Sequence, residues 1–342
     1  MNNGIIVAGN MIVDVLKDID VYPEHSKLTS IRRVNKAMGG LVCNCGLDLA
    51  KLDSDMPVKF VGAIGDDDYG KYIRERVADY PNIDMSHVQT LGQTSFTDAM
   101  CDTKNHTRTF FTFRGASSEM TPADFDFDKI KGDILHIGYI LLLDGLDAED
   151  NEYGTAMARV LADAQAHGIK TSIDVVSEEG DRFRKIVSPA LKYTDYCVIN
   201  ETESEKVTGI KLTRDDGELD EKAMPEVFAA LRELGVKEWI VIHSKNEAFG
   251  QDKDGNIYNA PSIDIPRDMI AGTTGAGDAF CSGILYGAYR EMALPEAMKF
   301  ANAVASSSLL TPGASDGILS YEDTVEYGRT TTEKYGLCKV SR

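Results

Sequence analysis

Gly272-Thr273-Thr274-Gly275-Ala276-Gly277-Asp278-Ala279-Phe280 follows a polar, proline-bearing segment, residues 261–269. It leads into apolar residues at helical spacing: Ala279, Phe280, Ile284, Leu285 and Ala288. The stretch reads as a loop that becomes a helix. Its glycines, Gly272, Gly275 and Gly277, let the backbone turn tightly and approach a ligand. The first N–H groups of a helix lack internal partners and carry the positive end of the dipole, so the loop is an anion site suited to phosphate. Asp278 is out of keeping with a phosphate. It either favours the helix N-terminus electrostatically, or it is a base placed where a hydroxyl loses its proton while attacking phosphorus.

Working outward, apolar strands alternate with helices. Ile5-Ile6-Val7-Ala8-Gly9 reads as a buried parallel strand. Further strands are expected at 58–65, 134–137, 171–176, 195–199 and 239–243, with helices at 69–80, 152–167 and 226–234. A turn at Asp254-Gly255 is flanked by Ala248-Phe249 and Ile257-Tyr258, and a last major helix runs from Pro295 to residue 310. This alternation predicts an α/β fold with a mainly parallel sheet covered on both faces. Two segments break it. Residues 93–114 are rich in β-formers around a polar turn at 102–105 and read as a hairpin. Residues 18–36 read as irregular strand, and together about 15–36 and 93–114 would make a small separate sheet. Phe96, Met100, Phe111 and Phe113 there suit either an apolar wall or hairpin packing.

Several polar residues are candidates for ligand contact. Asp14 lies just beyond the first strand and is either a solvated turn residue or an acceptor for a ligand hydroxyl at a strand's carboxyl end. Gly39-Gly40 opens a helix and permits close backbone approach, and Asn44, one turn in, satisfies either a backbone group or a bound hydroxyl. Asn200 suits an N-cap. Glu201 and Glu203 fit the first turn of a helix, while Glu203 near a phosphate site would hold magnesium directly or through water. Gly65-Asp66-Asp67-Asp68-Tyr69-Gly70-Lys71 has Walker A spacing, but Tyr72 follows where a hydroxyl residue is needed and three aspartates would repel phosphate. It reads better as a helix start.

The chain has 342 residues and a formal net charge of -19, which argues against nucleic acid or anionic membrane as a general partner. No run is long enough for a membrane span, and residues 1–10 lead straight into a strand without a signal-peptide pattern. Six cysteines without a CxxC pair read as reduced thiols of a cytoplasmic protein. The Asn105-His106-Thr107 triplet is idle as a glycosylation acceptor without secretion.

Four features in order resemble the ribokinase-like carbohydrate kinases, the PfkB family, over essentially the whole chain. They are Gly39-Gly40 with Asn44, the stretch 62–70, Asn200-x-x-Glu203, and Thr273-Thr274-Gly275-Ala276-Gly277-Asp278. The resemblance implies a ribokinase-like α/β/α sandwich in one domain over 1–342, with a β-sheet lid that forms a homodimer contact. It implies transfer of the ATP γ-phosphoryl to an alcohol of a sugar-like substrate, with Asp278 as general base and Gly275, Ala276 and Gly277 as the anion hole. Asp14, Gly39, Gly40, Asn44 and Arg114 would bind the acceptor. Asn200, Glu203, His243, Ser244, Thr274, Gly277 and Asn302 would bind the nucleotide, with Mg2+ at Glu203.

Some positions depart from the family pattern. Gly272 stands where the family often has an aspartate that helps bind a monovalent cation, so potassium dependence is open. Asp174-Val175-Val176-Ser177 replaces Asp-Pro-Asn, and residues 243–247 replace a glycine-bearing nucleotide loop. The acceptor is open between a sugar, a sugar acid and a nucleoside. Two alternatives to a sugar kinase are a nucleoside kinase of the same family and a non-catalytic sugar- or nucleotide-binding relative. A dinucleotide oxidoreductase is disfavoured, because the first strand lacks the Gly-x-G-x-x-Gly turn.

Overall fold

In the computed structural model, residues 3–105, 107–176, 182–214 and 218–339 are described. His106 and Ser177, named above, lie outside them. In chain order the principal strands are β1 (Ile5–Gly9), β2 (Ile12–Ile19), β3 (Ile31–Gly39), β4 (Val58–Ile64), β5 (Ile83–Thr90), β6 (Ser95–Asp102) and β7 (Thr107–Phe113). They continue with β8 (Ile134–Ile140), β9 (Lys170–Val175), β10 (Tyr196–Asn200), β11 (Trp239–His243), β12 (Glu247–Gln251) and β13 (Ile257–Pro261). Nine of them form one sheet in the order β13-β12-β11-β10-β9-β8-β1-β4-β5. The pairs from β11 to β5 are parallel; β11-β12 and β12-β13 are antiparallel.

Both faces of this sheet are covered, as continuous apolar strands require. Alternation along β1 sends Ile6 and Ala8 into one core cluster and Ile5 and Val7 into the other. The first cluster is closed by the helices Ala156–Ala166, Phe183–Leu191 and Met224–Glu233. The second is closed by Leu41–Leu52, Ala276–Tyr289 and Leu294–Ser308. The fold is therefore an α/β/α sandwich.

The remaining strands form a separate sheet, β3-β2-β6-β7. Its centre, β2 with β6, is parallel, and both outer pairs are antiparallel. Residues 18–36 are irregular strand, as read from sequence: 18–19 end β2, 31–36 begin β3, residues 20–30 between them are turn and loop, and the β2-β3 register shifts between Asp18 and Ile19. Strand β3 runs on to Gly39, feeding the Gly39-Gly40 turn directly. The 93–114 segment is a hairpin. Phe96 stacks on Tyr69 and Phe113 at 5.6 and 5.4 Å, while Phe110, Phe111 and Val34 remain exposed.

Several boundaries differ from the sequence reading. The helix expected over 152–167 starts at Ala156, because the Thr155 side chain caps it and residues 149–155 form a short hairpin. The helix after β4 spans Asp68–Val77. Asp67 caps it through the Gly70 amide and also accepts from the Thr94 amide and hydroxyl, which gives one acid of the false Walker loop a structural task. The helix ending near residue 310 is not the last: Tyr321–Tyr335 follows it, capped by Ser320. Strand β5 and the helix Phe183–Leu191, with Pro189 inside it, also go beyond the sequence reading. No helix among the described residues is long and apolar enough to cross a membrane. All six cysteines are free.

Candidate active site

Parallel strands end on the same side of a sheet, and ligands of open α/β folds bind outside those carboxyl ends. Here the ends present Asn10 after β1, Tyr139 on β8, Asp174 on β9, Asn200 on β10 and His243 on β11. The strand order reverses between β8 and β1, since the chain first builds outward from β1 to β4 and β5 and then returns to β8. The reversal opens a crevice, and the helix Ala276–Tyr289 points its start toward it.

Gly275 caps that helix in the left-handed conformation, with φ 79°. A Cβ there would lie 2.6 Å from the Ala314 Cβ, so only glycine fits both the angle and the space. Asp278, in the first turn, is partly buried. Its Oδ2 accepts from Asn44 Nδ2 at 2.9 Å, and its two carboxyl oxygens lie 2.9 and 2.8 Å from the Tyr139 hydroxyl. The Cys45 thiol lies 3.9 Å from Oδ1. Burial pushes the Asp278 carboxyl above its ordinary range, and the Asn44, Tyr139 and Cys45 contacts oppose that shift. Tyr139 stays a protonated donor, because burial and the neighbouring charges of Asp278 and Asp174 push its phenol well up.

Asn44 reaches Asp278 because of the glycine pair before it. Gly40, with φ 83°, ends β3 and starts the helix Leu41–Leu52, and the Asn10 side chain accepts from the Leu41 amide at 3.0 Å. A Cβ on Gly39 would lie 2.2 Å from Asp14 Oδ2, so Gly39 is what admits the Asp14 carboxylate to this corner. Burial raises Asp14 to about 6. Arg114 follows β7 and its guanidinium pairs with Asp144.

On the other side of Gly277 lies a cleft of about 410 Å³, lined by Asn200, His243, Ser244, Gly277, Phe280 and Asn302, among others. Burial lowers His243 to about 4, so its ring is neutral; it packs against Phe280 at 5.0 Å. Asn302 donates to the Ala260 and Pro261 carbonyls, which leaves its side-chain oxygen for the cleft. A larger groove, about 770 Å³, lies behind β13 and the helix Tyr321–Tyr335 and shares only Ile263 and Asn302 with the cleft.

Asn200 and Glu203 form a reciprocal capping box: the Glu203 amide donates to Asn200 Oδ1 at 2.9 Å and the Asn200 amide to Glu203 Oε2 at 3.0 Å. The capping reading therefore holds for Glu203. Asp174 is raised well above the usual carboxylate range by burial, then by the charges of Glu203 and Asp278. Among the described residues, no three His, Cys, Asp or Glu side chains converge as metal ligands. At Gly272, an added Cβ would sit 3.1 Å from the Thr311 carbonyl oxygen and 3.2 Å from that of Pro312. Glycine fits this spot and supplies no carboxylate to it.

The structure thus brings Asn44 against Asp278, Gly39 against Asp14, and Asn200, His243, Ser244, Gly277 and Asn302 around one cleft. Thr274 faces the second sheet instead, where Arg108 Nη1 donates to its hydroxyl at 3.1 Å. Tyr139, Cys45 and Arg108 lie outside the set singled out from sequence. A tyrosine in an apolar strand, a cysteine in an apolar helix and an arginine in an exposed hairpin carry no local signal of a site.

The architecture and this corner together define a phosphotransferase-type α/β sandwich with an added sheet. Residues 5–320 match the pfkB family of carbohydrate kinases, and the chain belongs to that family. It is 23% identical over 331 residues to the 5-dehydro-2-deoxygluconokinase of Clostridium perfringens, covering 93% of this chain and 92% of that protein. It is 23% identical over 328 residues to the ribokinase of Staphylococcus aureus, covering 94% and 99%. Among solved structures, Arabidopsis thaliana ribokinase complexed with ribose and ATP superposes with a TM-score of 0.78 at 20% identity, covering 96% of this chain and 99% of that one. The nucleoside kinase of Methanocaldococcus jannaschii gives 0.72 at 16% identity, covering 96% and 98%.

Proposed function

We propose that this carbohydrate kinase moves the γ-phosphoryl of ATP to an alcohol of a small sugar or sugar-derived acceptor. The observation that carries the reading is the 2.9 Å contact between Asn44 and Asp278. It joins the acceptor corner around Asp14, Gly39 and Gly40 to the start of the anion-binding helix, with a carboxylate between the two. ATP as donor is supported by the cleft beside Gly277 and by the ATP bound in the plant ribokinase.

Asp14, Asn44 and the Gly40 backbone hold the acceptor's hydroxyls, with Arg114 at the edge. Asp278 takes the proton of the attacking hydroxyl as its oxygen bonds to the γ-phosphorus. The bond from that phosphorus to the β–γ bridging oxygen breaks, and ADP leaves with the electron pair. The Gly275, Ala276 and Gly277 amides accept the charge gathering on the transferring group. Glu203, with the carboxyls of Asp174 and Asp278 near enough to act on one another, would hold Mg2+, directly or through water, although among the described residues no three such side chains converge as ligands. When bound, Mg2+ supplies charge neutralisation to the phosphates. The second sheet acts as a lid, and its exposed Val34, Phe110 and Phe111 support a homodimer contact there.

The test is ADP release over a panel of sugars, sugar acids and nucleosides with Mg-ATP. Turnover with a sugar or sugar acid is the expected result. Turnover confined to nucleosides would move the protein to the nucleoside kinases. No acceptor-dependent ADP release across the panel, with binding detected by melting-temperature shifts, would instead favour a non-catalytic relative.

A further inference from the structure

One hydroxyl of the protein already stands where an attacking hydroxyl is needed. The Tyr139 phenol lies 2.9 Å from Asp278 Oδ1 and 2.8 Å from Oδ2. A donor shared so evenly sits between the two oxygens, on the open side of the carboxylate. Asn44 Nδ2 takes Oδ2 at 2.9 Å, and the Cys45 thiol stands 3.9 Å from Oδ1. A general base must lie about 2.6–3.2 Å from the atom whose proton it takes. The phenol oxygen holds that distance from both oxygens of Asp278.

Tyr139 is carried by β8 of the main sheet. Its ring packs against the core cluster that the helix Ala276–Tyr289 closes, while the residue as a whole is only half-buried. The backbone beyond it is fixed. The Leu141 and Leu143 amides donate to the Asp147 carboxylate at 3.1 and 3.2 Å, and Arg182 donates to the Leu141 carbonyl at 2.9 Å. The phenol can therefore leave Asp278 by a turn of its own side chain, with the loop staying in place.

A base left open before the acceptor arrives activates water instead. The water oxygen bonds to the γ-phosphorus and its proton passes to Asp278. The bond to the β–γ bridging oxygen breaks, ADP leaves with the electron pair, and the phosphoryl ends as inorganic phosphate. We propose that Tyr139 is a specificity-determining residue against water: its hydroxyl holds the acceptor's place on Asp278 until an acceptor hydroxyl displaces it. This rests on the kinase reading above. An acceptor held by Asp14, Asn44 and the Gly40 backbone has binding free energy to set against the lost phenol contact. A single water has none of those contacts. The phenol keeps its proton while it waits, because burial and the charges of Asp278 and Asp174 hold it well above its ordinary range.

The experiment compares wild type with Tyr139→Phe at a pH on the plateau of both rate profiles. Release of ADP and inorganic phosphate from Mg-ATP is measured with and without the best acceptor. Phenylalanine keeps the ring in the core and leaves room for a water beside Asp278. Acceptor-independent hydrolysis, as a fraction of kcat with acceptor, should rise about tenfold, part of what a general base contributes. The acceptor KM should fall about fivefold, the scale of one net hydrogen bond. A merely structural role would lower both rates together and leave their ratio alone. An unchanged ratio would overturn the proposal. So would wild-type protein that gains a phosphoryl group on Tyr139 with Mg-ATP alone, since the phenol would then be an acceptor rather than a place-holder. Adding Asp278→Asn to Tyr139→Phe should abolish the extra hydrolysis, and hydrolysis that persists would also overturn it. Asp278→Asn alone separates the two levels. If it loses turnover while Tyr139→Phe leaves the ratio unchanged, only the tyrosine's role fails. If Asp278→Asn keeps full activity, the reading of the site itself fails, and this proposal with it.

Discussion

At Asp278, burial and hydrogen bonding pull in opposite directions. Burial favours the neutral acid, while Asn44, Tyr139 and Cys45 favour the carboxylate. To act as the proposed base Asp278 must be ionised, so on that reading the donors around it set the lower limit of the working pH range. In Tyr139→Phe the ring still fills its place but the phenol's bond is gone. The folded carboxyl then titrates higher, and the acid limb of the kcat/KM profile should move up by about one pH unit, the equivalent of a single charge-assisted hydrogen bond. An unmoved limb would mean that Tyr139 only packs. Asp278 and Asn44 were legible in the sequence because glycines frame them and mark close backbone approach. Tyr139 was not, because it sits in an apolar run, Ile137-Gly138-Tyr139-Ile140, and only the strand order puts that run beside the crevice.

Elements were legible where their periodicity was strong. The parallel strands declare themselves as apolar runs, and the 93–114 hairpin by its β-formers and polar turn. The helix Phe183–Leu191 was hidden by Pro189, which counts against a helix. Strand β5 was hidden too, since only Val88 of its eight residues is buried. The helix Tyr321–Tyr335 buries only Thr324 and Thr331 and so lacks an apolar stripe. The helices Ala276–Tyr289 and Leu294–Ser308 meet through small residues instead. A Cβ on Gly283 would lie 2.6 Å from the Ala301 Cα, and one on Gly287 2.5 Å from the Ala297 Cβ. Gly283→Val should therefore push the pair apart and cost about 1–3 kcal/mol in urea melts, the usual range for overpacking. It should also lower kcat, because the first of these helices carries Asp278. A variant as stable as wild type would show that the contact relaxes freely.

For the whole molecule, the sequence pointed to an α/β/α sandwich with a separate sheet, and the structure has that form. It could not place the second sheet against the loop that precedes the helix Ala276–Tyr289, since the Arg108–Thr274 contact spans residues 166 apart in the chain. The acceptor's identity is likewise beyond it, because the corner proposed to receive the acceptor is assembled from β2, β3, β8 and two helices. One departure from the family pattern does have a global consequence. Gly272 provides no carboxylate beside the Thr311 and Pro312 carbonyls, so the enzyme should not need potassium. Replacing KCl by choline chloride at equal ionic strength should change kcat less than twofold, and a requirement for potassium would show that other groups provide its site.

The central claim is that Asp278 removes the acceptor's proton during phosphoryl transfer. Its most direct test is the turnover of Asp278→Asn with the best acceptor, measured beside ATP affinity by calorimetry. The amide keeps the side chain's size but cannot serve as a base. The account predicts that kcat falls by about 10²- to 10⁴-fold while ATP binds within threefold of wild type. A variant that turns over at near the wild-type rate would contradict it.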